Sequence, residues 1–171
     1  MTNQQQCEAF FNSRKSLILS TLDAQGALET SVAPFVYKED KLYIFVSELA
    51  KHTQNLLGLI ESNKRLTDLN TPGLVSAILL ADESQTEQLF ARERMTLQLS
   101  VAEILAKDKA YSDLLNLFAE QFGEIVSVLR GLSDFHLFEF TIRKGGYVKG
   151  FGQAFAFEDK PCNGLHPISR N

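Results

Sequence analysis

Hydrophobic and polar residues alternate most regularly in two stretches of this sequence. The first predicts a long strand with one solvent-facing side, with Met95, Leu97, Leu99 and Val101 on one face and Thr96, Gln98, Ser100 and Ala102 on the other. In the second, residues 135–142, apolar or aromatic side chains interleave with polar ones, as is typical of a half-buried strand. Residues 143–146 then predict a turn and residues 147–157 a returning strand, so we expect a hairpin here.

Shorter apolar runs predict a three-stranded meander near the start of the chain. Its strands are residues 17–22, 28–37 and 42–46, joined by a glycine-ended turn at 23–26 and a charged turn at 38–41. Pro34 lacks the N–H that a strand ladder needs, so it is predicted to lie at an edge or a bulge. Later, a turn at residues 70–73 precedes an apolar run at 74–80, which predicts a strand buried on both faces.

Helices are predicted where apolar residues recur at helical spacing. They are the end of a short helix at 7–12, a helix at 49–61 capped by Ser47, a helix at 109–122 ending at Gly123, and a helical turn or connector at 125–132. Strands dominate, so the predicted class is α+β, mainly antiparallel β with a few flanking helices. We expect one domain over residues 1–171, of which 158–171 form a tail.

Composition narrows the possible functions. The chain has 171 residues and a net charge of −4. Without clustered Lys and Arg, nucleic-acid binding is not expected. The N-terminus lacks the pattern of a secretory signal and no apolar run reaches membrane-spanning length, so we expect a cytoplasmic protein without a membrane partner. In that reducing compartment Cys7 and Cys162, near opposite ends of the chain, are predicted to be unpaired thiols.

Two arginines are candidates for binding an anionic group. Arg92 and Arg94 lie two residues apart at the entrance of the predicted long strand, and therefore share a face. A guanidinium can hold a phosphate or a carboxylate through paired hydrogen bonds. The alternative is a solvated charge cluster with Glu93, and the residues alone leave both interpretations open.

Three histidines and one aspartate complete the candidates. His166 lies in a stretch too poor in apolar residues to be core, so it is either a ligand or an inert histidine on a mobile tail. Asp134 opens the predicted hairpin, and its simplest role is to cap nearby backbone amides. We interpret His52 as a partly exposed, locally hydrogen-bonded residue of a first helical turn, and His136 as structural. No Ser-His-Asp set, Walker loop or zinc motif is present in the sequence.

Three segments carry a family likeness in the right order. They read Ser-Glu-Leu-Ala-Lys-His-Thr-Gln-Asn-Leu at 47–56, Phe-Ala-Arg-Glu-Arg-Met-Thr-Leu-Gln-Leu at 90–99, and Asp-Phe-His-Leu-Phe followed by Gly-Tyr-Val-Lys-Gly-Phe-Gly-Gln-Ala within 134–154. Together they resemble the haem-utilisation proteins of the HugZ/HutZ type, a branch of the pyridoxamine-phosphate-oxidase-like split barrels. The likeness spans most of the chain. It implies an antiparallel split β-barrel that works as a homodimer, with ligand clefts between two barrels.

The resemblance also implies a function and the residues that perform it. The expected function is haem binding and oxidative haem breakdown for iron acquisition, which needs O2 and an external electron donor. In that scheme His166 ligates the haem iron, Asp134 of the other protomer hydrogen-bonds that histidine, and Arg92 on the distal side steadies bound oxygen. The tail at 158–171 would fold over the cofactor.

Two alternatives stay open at this point. One is an FMN-dependent oxidoreductase of the parent superfamily, in which Arg92 and Arg94 grip the flavin phosphate. The other is a haem storage or shuttle protein that binds haem in the same way without degrading it. The sequence does not separate degradation from carriage.

Overall fold

The computed structural model describes residues 1–65 and 75–168. In chain order the elements are α1 (Asn3–Ser13), β1 (Ser16–Leu22), β2 (Leu28–Pro34), β3 (Val36–Lys38), β4 (Lys41–Ser47), α2 (Lys51–Arg65), β5 (Val75–Leu80), β6 (Arg94–Ile104), α3 (Tyr111–Phe122), α4 (Ile125–Arg130), β7 (Phe135–Gly150), β8 (Gln153–Glu158) and β9 (His166–Pro167). Two short 3-10 turns, Glu83–Gln85 and Leu89–Ala91, precede β6.

All of these strands belong to one antiparallel sheet, which confirms the predicted α+β class. The order is β2-β1-β5-β6-β7-β4-β3, with β8 paired to β7 and β9 paired to β8. The predicted alternation in β6 is also confirmed: Met95, Leu97 and Leu99 are buried, whereas Thr96 and Gln98 are exposed. The buried face lines the main core together with aromatic side chains from β7 and β8, including Phe138, Phe140, Tyr147, Phe155 and Phe157.

The predicted turn at residues 143–146 is wrong, because β7 continues through it to Gly150. The chain reverses instead at Phe151 and Gly152, where Gly152 has a φ of +67°. Gly145 is required by a close approach rather than by a turn. A Cβ built at Gly145 would lie 2.2 Å from Cζ of Phe157, whose ring covers it from β8. The sequence alone does not distinguish a glycine that forms a turn from one that allows close packing within a strand.

The pairings of the predicted meander are confirmed, although its middle strand is divided. β1 pairs with β2 and β3 pairs with β4, and β4 takes β7 as its other neighbour. The predicted strand at 28–37 is interrupted at Phe35, whose N–H donates to the carbonyl of Lys15. Pro34 ends β2, as expected of a residue without a ladder donor. Local alternation predicts these neighbouring strands, but it does not show that β4 also pairs with β7.

Burial on both faces belongs to β4 and not, as predicted, to β5. Five consecutive residues of β4 are buried, because its second face packs against α3 and α4 in a separate apolar cluster that includes Tyr43, Phe45, Leu115, Phe118 and Val126. In β5, by contrast, Ser76 is exposed and Ile78 and Leu80 are half-buried. Leu74 and the predicted turn at 70–73 lie outside the described residues.

The helices follow the predicted spacing with changes at their ends. α3 ends before Gly123, whose φ is +83°, as the glycine cap predicts. α2 begins at Lys51 rather than at 49, and Ser47 is not its cap. The Ser47 hydroxyl donates to a carboxylate oxygen of Asp134 instead. Among the described helices, none is long and apolar enough to cross a membrane.

The two cysteines are joined, which overturns the prediction of unpaired thiols. Cys7 in α1 and Cys162 in the loop before β9 form a disulfide across 155 residues of sequence, and both are fully buried. α1 packs Phe10 and Phe11 into the core, and the loop after β8 comes to rest beside it. This proximity follows from the order of strands in the sheet, so spacing along the chain does not show it.

Candidate functional site

The outer face of the sheet carries His166. Residues that pair directly across antiparallel strands lie on the same face, and successive registers place His166 beside Ala156, Ala156 beside Gly146, and Gly146 beside Thr96. The row continues through Ile78 and Ile18 to Val32. Helices α3 and α4 cover the other end of the sheet, and no described element covers this row.

His166 presents a ring nitrogen to solvent. The side chain is exposed, and its Nδ1 lies 3.2 Å from the carbonyl oxygen of Gly164. A carbonyl only accepts, so Nδ1 carries the hydrogen of the neutral ring and Nε2 keeps its lone pair. Histidines that bind metals commonly donate the other ring N–H in this way. The local geometry therefore fits an imidazole able to ligate iron.

The sheet surface beside His166 is flat, because Gly146 has no side chain and Ala156 has only a methyl group. A Cβ at Gly146 would lie 3.1 Å from Oγ1 of Thr96, so this position has little room for a larger residue. A pocket of about 230 Å³ lies beside this row, two residues further along the strands. Its lining includes the polar side chains of Ser76, Gln98 and Lys144. The face thus offers a flat apolar floor with a cation at its margin.

The two arginines lie at the end of this face. Arg94 opens β6 opposite Val148, and its guanidinium donates to the backbone carbonyl of Arg92. Arg92 precedes the strand, donates from Nε to the carbonyl of Ala81 at 2.7 Å, and pairs with Glu83 at 2.8 Å. Arg94 stands three strands from His166, about 14 Å across the sheet at about 4.8 Å per strand.

Glu93 does not join the arginines in a solvated cluster. Its carboxylate accepts a hydrogen bond from the hydroxyl of Tyr147, a residue that is fully buried in the core. Burial and this hydrogen bond raise the pKa of Tyr147, so the hydroxyl stays protonated and donates. Glu93 thereby attaches the loop that carries Arg92 to β7, and this attachment fixes the position of the Arg92 backbone.

Asp134 lies far from His166 within one chain. It stands twelve residues before Gly146 along β7 (146 − 134 = 12), about 40 Å of strand at about 3.3 Å per residue. Its Oδ2 accepts from the Ser47 hydroxyl at 2.5 Å, and its backbone carbonyl accepts the N–H of Glu48. The structure therefore does not bring the four predicted site residues together in a single chain.

His136, next to Asp134, bridges two carboxylates. Its Nδ1 lies 2.6 Å from Glu103 and its Nε2 lies 2.6 Å from Glu48. Burial lowers the pKa of His136, but the hydrogen bonds and charges of Glu103 and Glu48 outweigh that effect and raise it. The protonated ring has two N–H donors, one for each carboxylate. This geometry agrees with the structural interpretation of His136.

His52 differs from the prediction of a partly exposed residue. It is buried on the first turn of α2, and its Nδ1 lies 2.7 Å from the hydroxyl of Ser31 on β2. Its Nε2 has no hydrogen-bond partner among the described residues. Burial lowers the pKa of His52, against a weaker opposing effect of Glu29. The ring is held neutral inside the fold.

Sequence reasoning missed the partners that fix these side chains. Ser47, Glu48 and Glu103 meet Asp134 and His136 only because β4 and β6 flank β7 in a particular register. No local motif marks such pairs. The described residues also contain no group of three His, Cys, Asp or Glu side chains placed to hold a metal ion.

Comparisons with known proteins agree with the fold. The sequence profile described as pyridoxamine 5'-phosphate oxidase matches residues 4–149. Heme oxygenase HutZ of Vibrio cholerae serotype O1 is 37% identical over 147 residues, which are 85% of this chain and 76% of HutZ. The crystal structure of HutZ, described as the heme storage protein from Vibrio cholerae, matches with a TM-score of 0.69 and 31% identity, over 82% of this chain and 89% of that one.

A second structure covers nearly the whole chain. ChuZ of Campylobacter jejuni matches with a TM-score of 0.80 and 30% identity, over 97% of this chain but only 62% of ChuZ. This match, unlike the family profile, extends over the hairpin of β7 and β8 and most of the tail. The likeness inferred from the three sequence segments is thereby confirmed. Because the profile and the HutZ alignment each span most of its length, the chain belongs to the pyridoxamine 5'-phosphate oxidase family, on the branch that includes HutZ.

Proposed function

We propose that this protein binds haem and degrades it oxidatively, using O2 and an external electron donor. The observation that carries the proposal is His166, an exposed imidazole whose Nδ1–H is engaged by a backbone carbonyl and whose Nε2 has no hydrogen-bond partner among the described residues. Neutral imidazole is a common axial ligand of haem iron. The name of HutZ, a heme oxygenase with clear similarity to this chain, supports the same function.

The residues around His166 suit a planar ligand with acidic side chains. Gly146 and Ala156 leave the sheet surface flat beside the histidine. Arg94 and Lys144 place positive charge on the same face, where each could pair with a carboxylate of the ligand. Bound haem would supply the iron at which O2 is reduced, and the chain itself would bind, orient and shield that centre.

Arg92 is proposed to act on the bound haem without ligating its iron. Its guanidinium is held by the carbonyl of Ala81 and by an exposed ion pair with Glu83. Exposed ion pairs are weak, about 0–1 kcal/mol, so the side chain can turn from Glu83 toward a ligand at small cost. Its role would be to supply positive charge near the reacting oxygen atoms.

Asp134 requires a second copy of the chain to act on the histidine. In one chain the two residues are separated by most of β7, whereas in a homodimer Asp134 of one protomer can lie near His166 of the other. If that carboxylate replaced the Gly164 carbonyl as the acceptor of Nδ1–H, it would orient the ring and increase its basicity toward iron. The open sheet face supports a dimer, since Leu22, Leu28 and Val32 on it are 54%, 76% and 63% exposed.

The decisive experiment is a Soret titration with haemin on the wild type and three variants. We expect His166→Ala to abolish or greatly weaken haem binding, because a lost iron ligand is not replaced. Asp134→Asn should retain haem and change affinity or turnover by about 10–100-fold. Arg92→Ala should retain haem and slow Soret bleaching under ascorbate and air.

His136→Gln is the matched control, since it removes a histidine that is not a proposed iron ligand and whose two ring nitrogens are engaged by Glu103 and Glu48. It should bind haem with an unchanged spectrum. An unchanged spectrum for His166→Ala would contradict the proposed ligand. Tight retention of FMN through purification without any Soret change would instead favour the flavin alternative, in which Arg92 and Arg94 hold a phosphate.

Storage is the second candidate, favoured by the description of HutZ as a heme storage protein. Storage and degradation predict the same haem complex and different fates for it. If ascorbate and air leave the Soret band of the wild type intact over many hours, storage is the better description. Bleaching with release of iron supports degradation.

A further inference from the structure

The segment that carries His166 is attached to the rest of the fold by a covalent bond. Cys162 precedes His166 by four positions, and its disulfide to Cys7 fixes that point to the middle of α1. α1 is itself well anchored, with a capping box at Thr2 and buried Phe10 and Phe11. The disulfide therefore connects a rigid helix to the short chain that ends in the proposed iron ligand.

The other attachments of this segment are slight. Within the described residues, β9 pairs through His166 and Pro167, and two further backbone N–H groups donate to neighbouring strands, from Ile168 to Ala154 and from Asp159 to Arg143. Lys160 pairs with Asp40, but the two side chains are 53% and 47% exposed, and such pairs contribute little. Asp159 and Cys162 have φ near +64° and +63°, a conformation that disfavours side chains. Leu165 is only partly buried.

We propose that the Cys7–Cys162 disulfide is a redox-controlled tether that positions His166 on the sheet. When the sulfurs are joined, the loop after β8 is docked against α1 and β9 stays paired. When they are reduced, the remaining contacts hold the segment only part of the time. Apparent haem affinity then falls in proportion to the docked fraction. This consequence for haem rests on the proposed role of His166, whereas the tether itself does not.

The chemistry is thiol–disulfide exchange with a dithiol reductant. A thiolate of the reductant attacks one sulfur of the disulfide, a mixed disulfide forms, and the second thiol of the reductant completes the exchange. Two electrons pass to the protein, which gains two protons as Cys7 and Cys162 become thiols, and the reductant becomes a disulfide. In a compartment that keeps thiols reduced, the tether would form under oxidising conditions. Both sulfurs are fully buried, so exchange requires the loop to open.

The first test needs no haem. Hydrogen exchange of residues 159–168 is compared in oxidised wild type, in wild type held in tris(carboxyethyl)phosphine, and in Cys7→Ser, with thiols counted in denaturant. We expect the oxidised protein to have no free thiols and to exchange slowly in this segment. Reduction and Cys7→Ser should both speed exchange there by about tenfold or more, and leave β6 unchanged. Equal exchange in the oxidised and reduced protein would overturn the tether, as would two free thiols after mild oxidation.

The second test is a haemin titration of the same samples. We expect reduction of the wild type to raise the apparent Kd about tenfold or more, and Cys7→Ser to match the reduced protein. The reductant should not change the apparent Kd of Cys7→Ser further. This sample therefore controls for any direct action of the reductant on haemin. A reductant effect of equal size in Cys7→Ser would count against the tether. If no sample binds haemin while exchange still depends on the disulfide, the proposed function fails and the tether stands.

Discussion

At the scale of single residues, the environments of His52 and His136 shift their pKa values in opposite directions. His52 is buried beside Ser31 with one ring nitrogen unpartnered, and its pKa is lowered by burial. His136 lies between Glu48 and Glu103, whose carboxylates raise its pKa. His166 remains exposed at the sheet surface. Among the described residues, His166 alone combines an accessible side chain with a ring nitrogen that has no hydrogen-bond partner, and it is therefore the proposed iron ligand.

The raised pKa of His136 gives a testable pH dependence. Because the pKa is higher in the folded chain than the ordinary 6.5, the stabilisation by the two carboxylates is fully present below about pH 6.5. It is lost as the pH rises through the folded pKa. We expect His136→Gln to reduce the free energy of unfolding more at pH 6 than at pH 9, as measured by urea denaturation.

Nuclear magnetic resonance titration of the ring checks the cause. Glu103→Gln should lower the pKa of His136, since it removes one of the two partner charges. Glu139→Gln is the control, because Glu139 lies on the same strand as His136 but pairs with Lys41 instead. Equal effects of the two substitutions would show that the shift comes from general acidity of the protein rather than from the bridge.

At the scale of elements, β7 organises the molecule. Its first half pairs with β4 and its second half with β8, while β6 runs beside most of its length. The strand therefore links the end that holds Asp134 to the end that faces His166. It passes under the ring of Phe157 at Gly145, where a side chain has no room.

Gly145→Ala should destabilise the fold by about 1–3 kcal/mol, because the new methyl group would force the Phe157 ring out of the core. Gly58→Ala is the matched control. Gly58 lies within α2, has an ordinary helical φ, and has no atom within 4 Å of an added Cβ. There alanine should stabilise by about 0.5–1 kcal/mol. Chemical denaturation of both variants measures the difference, and a neutral Gly145→Ala would show that the ring can move aside.

At the scale of the whole molecule, the helices leave part of the sheet open. α3 and α4 cover the outer side of β3, β4 and the first half of β7, and no described element covers the face from β2 to β9. That face combines exposed apolar residues near β2 with His166 at the opposite edge. A second copy of the chain on this face would bury the apolar residues and could bring its Asp134 toward His166.

Val32→Glu should convert the proposed dimer to a monomer, because it places a charge in the middle of the apolar part of the open face. Light scattering at micromolar concentration measures the mass. Val128→Glu on α4 is the control, since Val128 is equally exposed, at 62% against 63% for Val32. It should leave the dimer intact. A wild type of monomer mass would exclude the homodimer, and with it any role for Asp134 on the histidine.

The sequence by itself determined the strand and helix content, the solvent-facing side of β6 and the end of α3 at Gly123. These features depend on local periodicity and on the conformational freedom of single residues, so they can be read from neighbours in the chain. The family likeness depends on short sequence motifs and not on the tertiary structure. His166, Asp134, Arg92 and Arg94 are candidates at that level.

Only the tertiary structure decided how strands far apart in the sequence pair, and everything that depends on that pairing. The register of β7 with β4 and β6 brought Ser47 to Asp134 and Glu103 to His136. The folding back of the tail brought Cys162 to Cys7. The pairing of β7 with β8 and β6 places Gly145 against Phe157 and Gly146 against Thr96, so these two glycines, expected in a turn, are sites of close packing. These contacts join residues far apart in sequence, and strand pairing is selected by the packing of the whole core rather than by any local pattern.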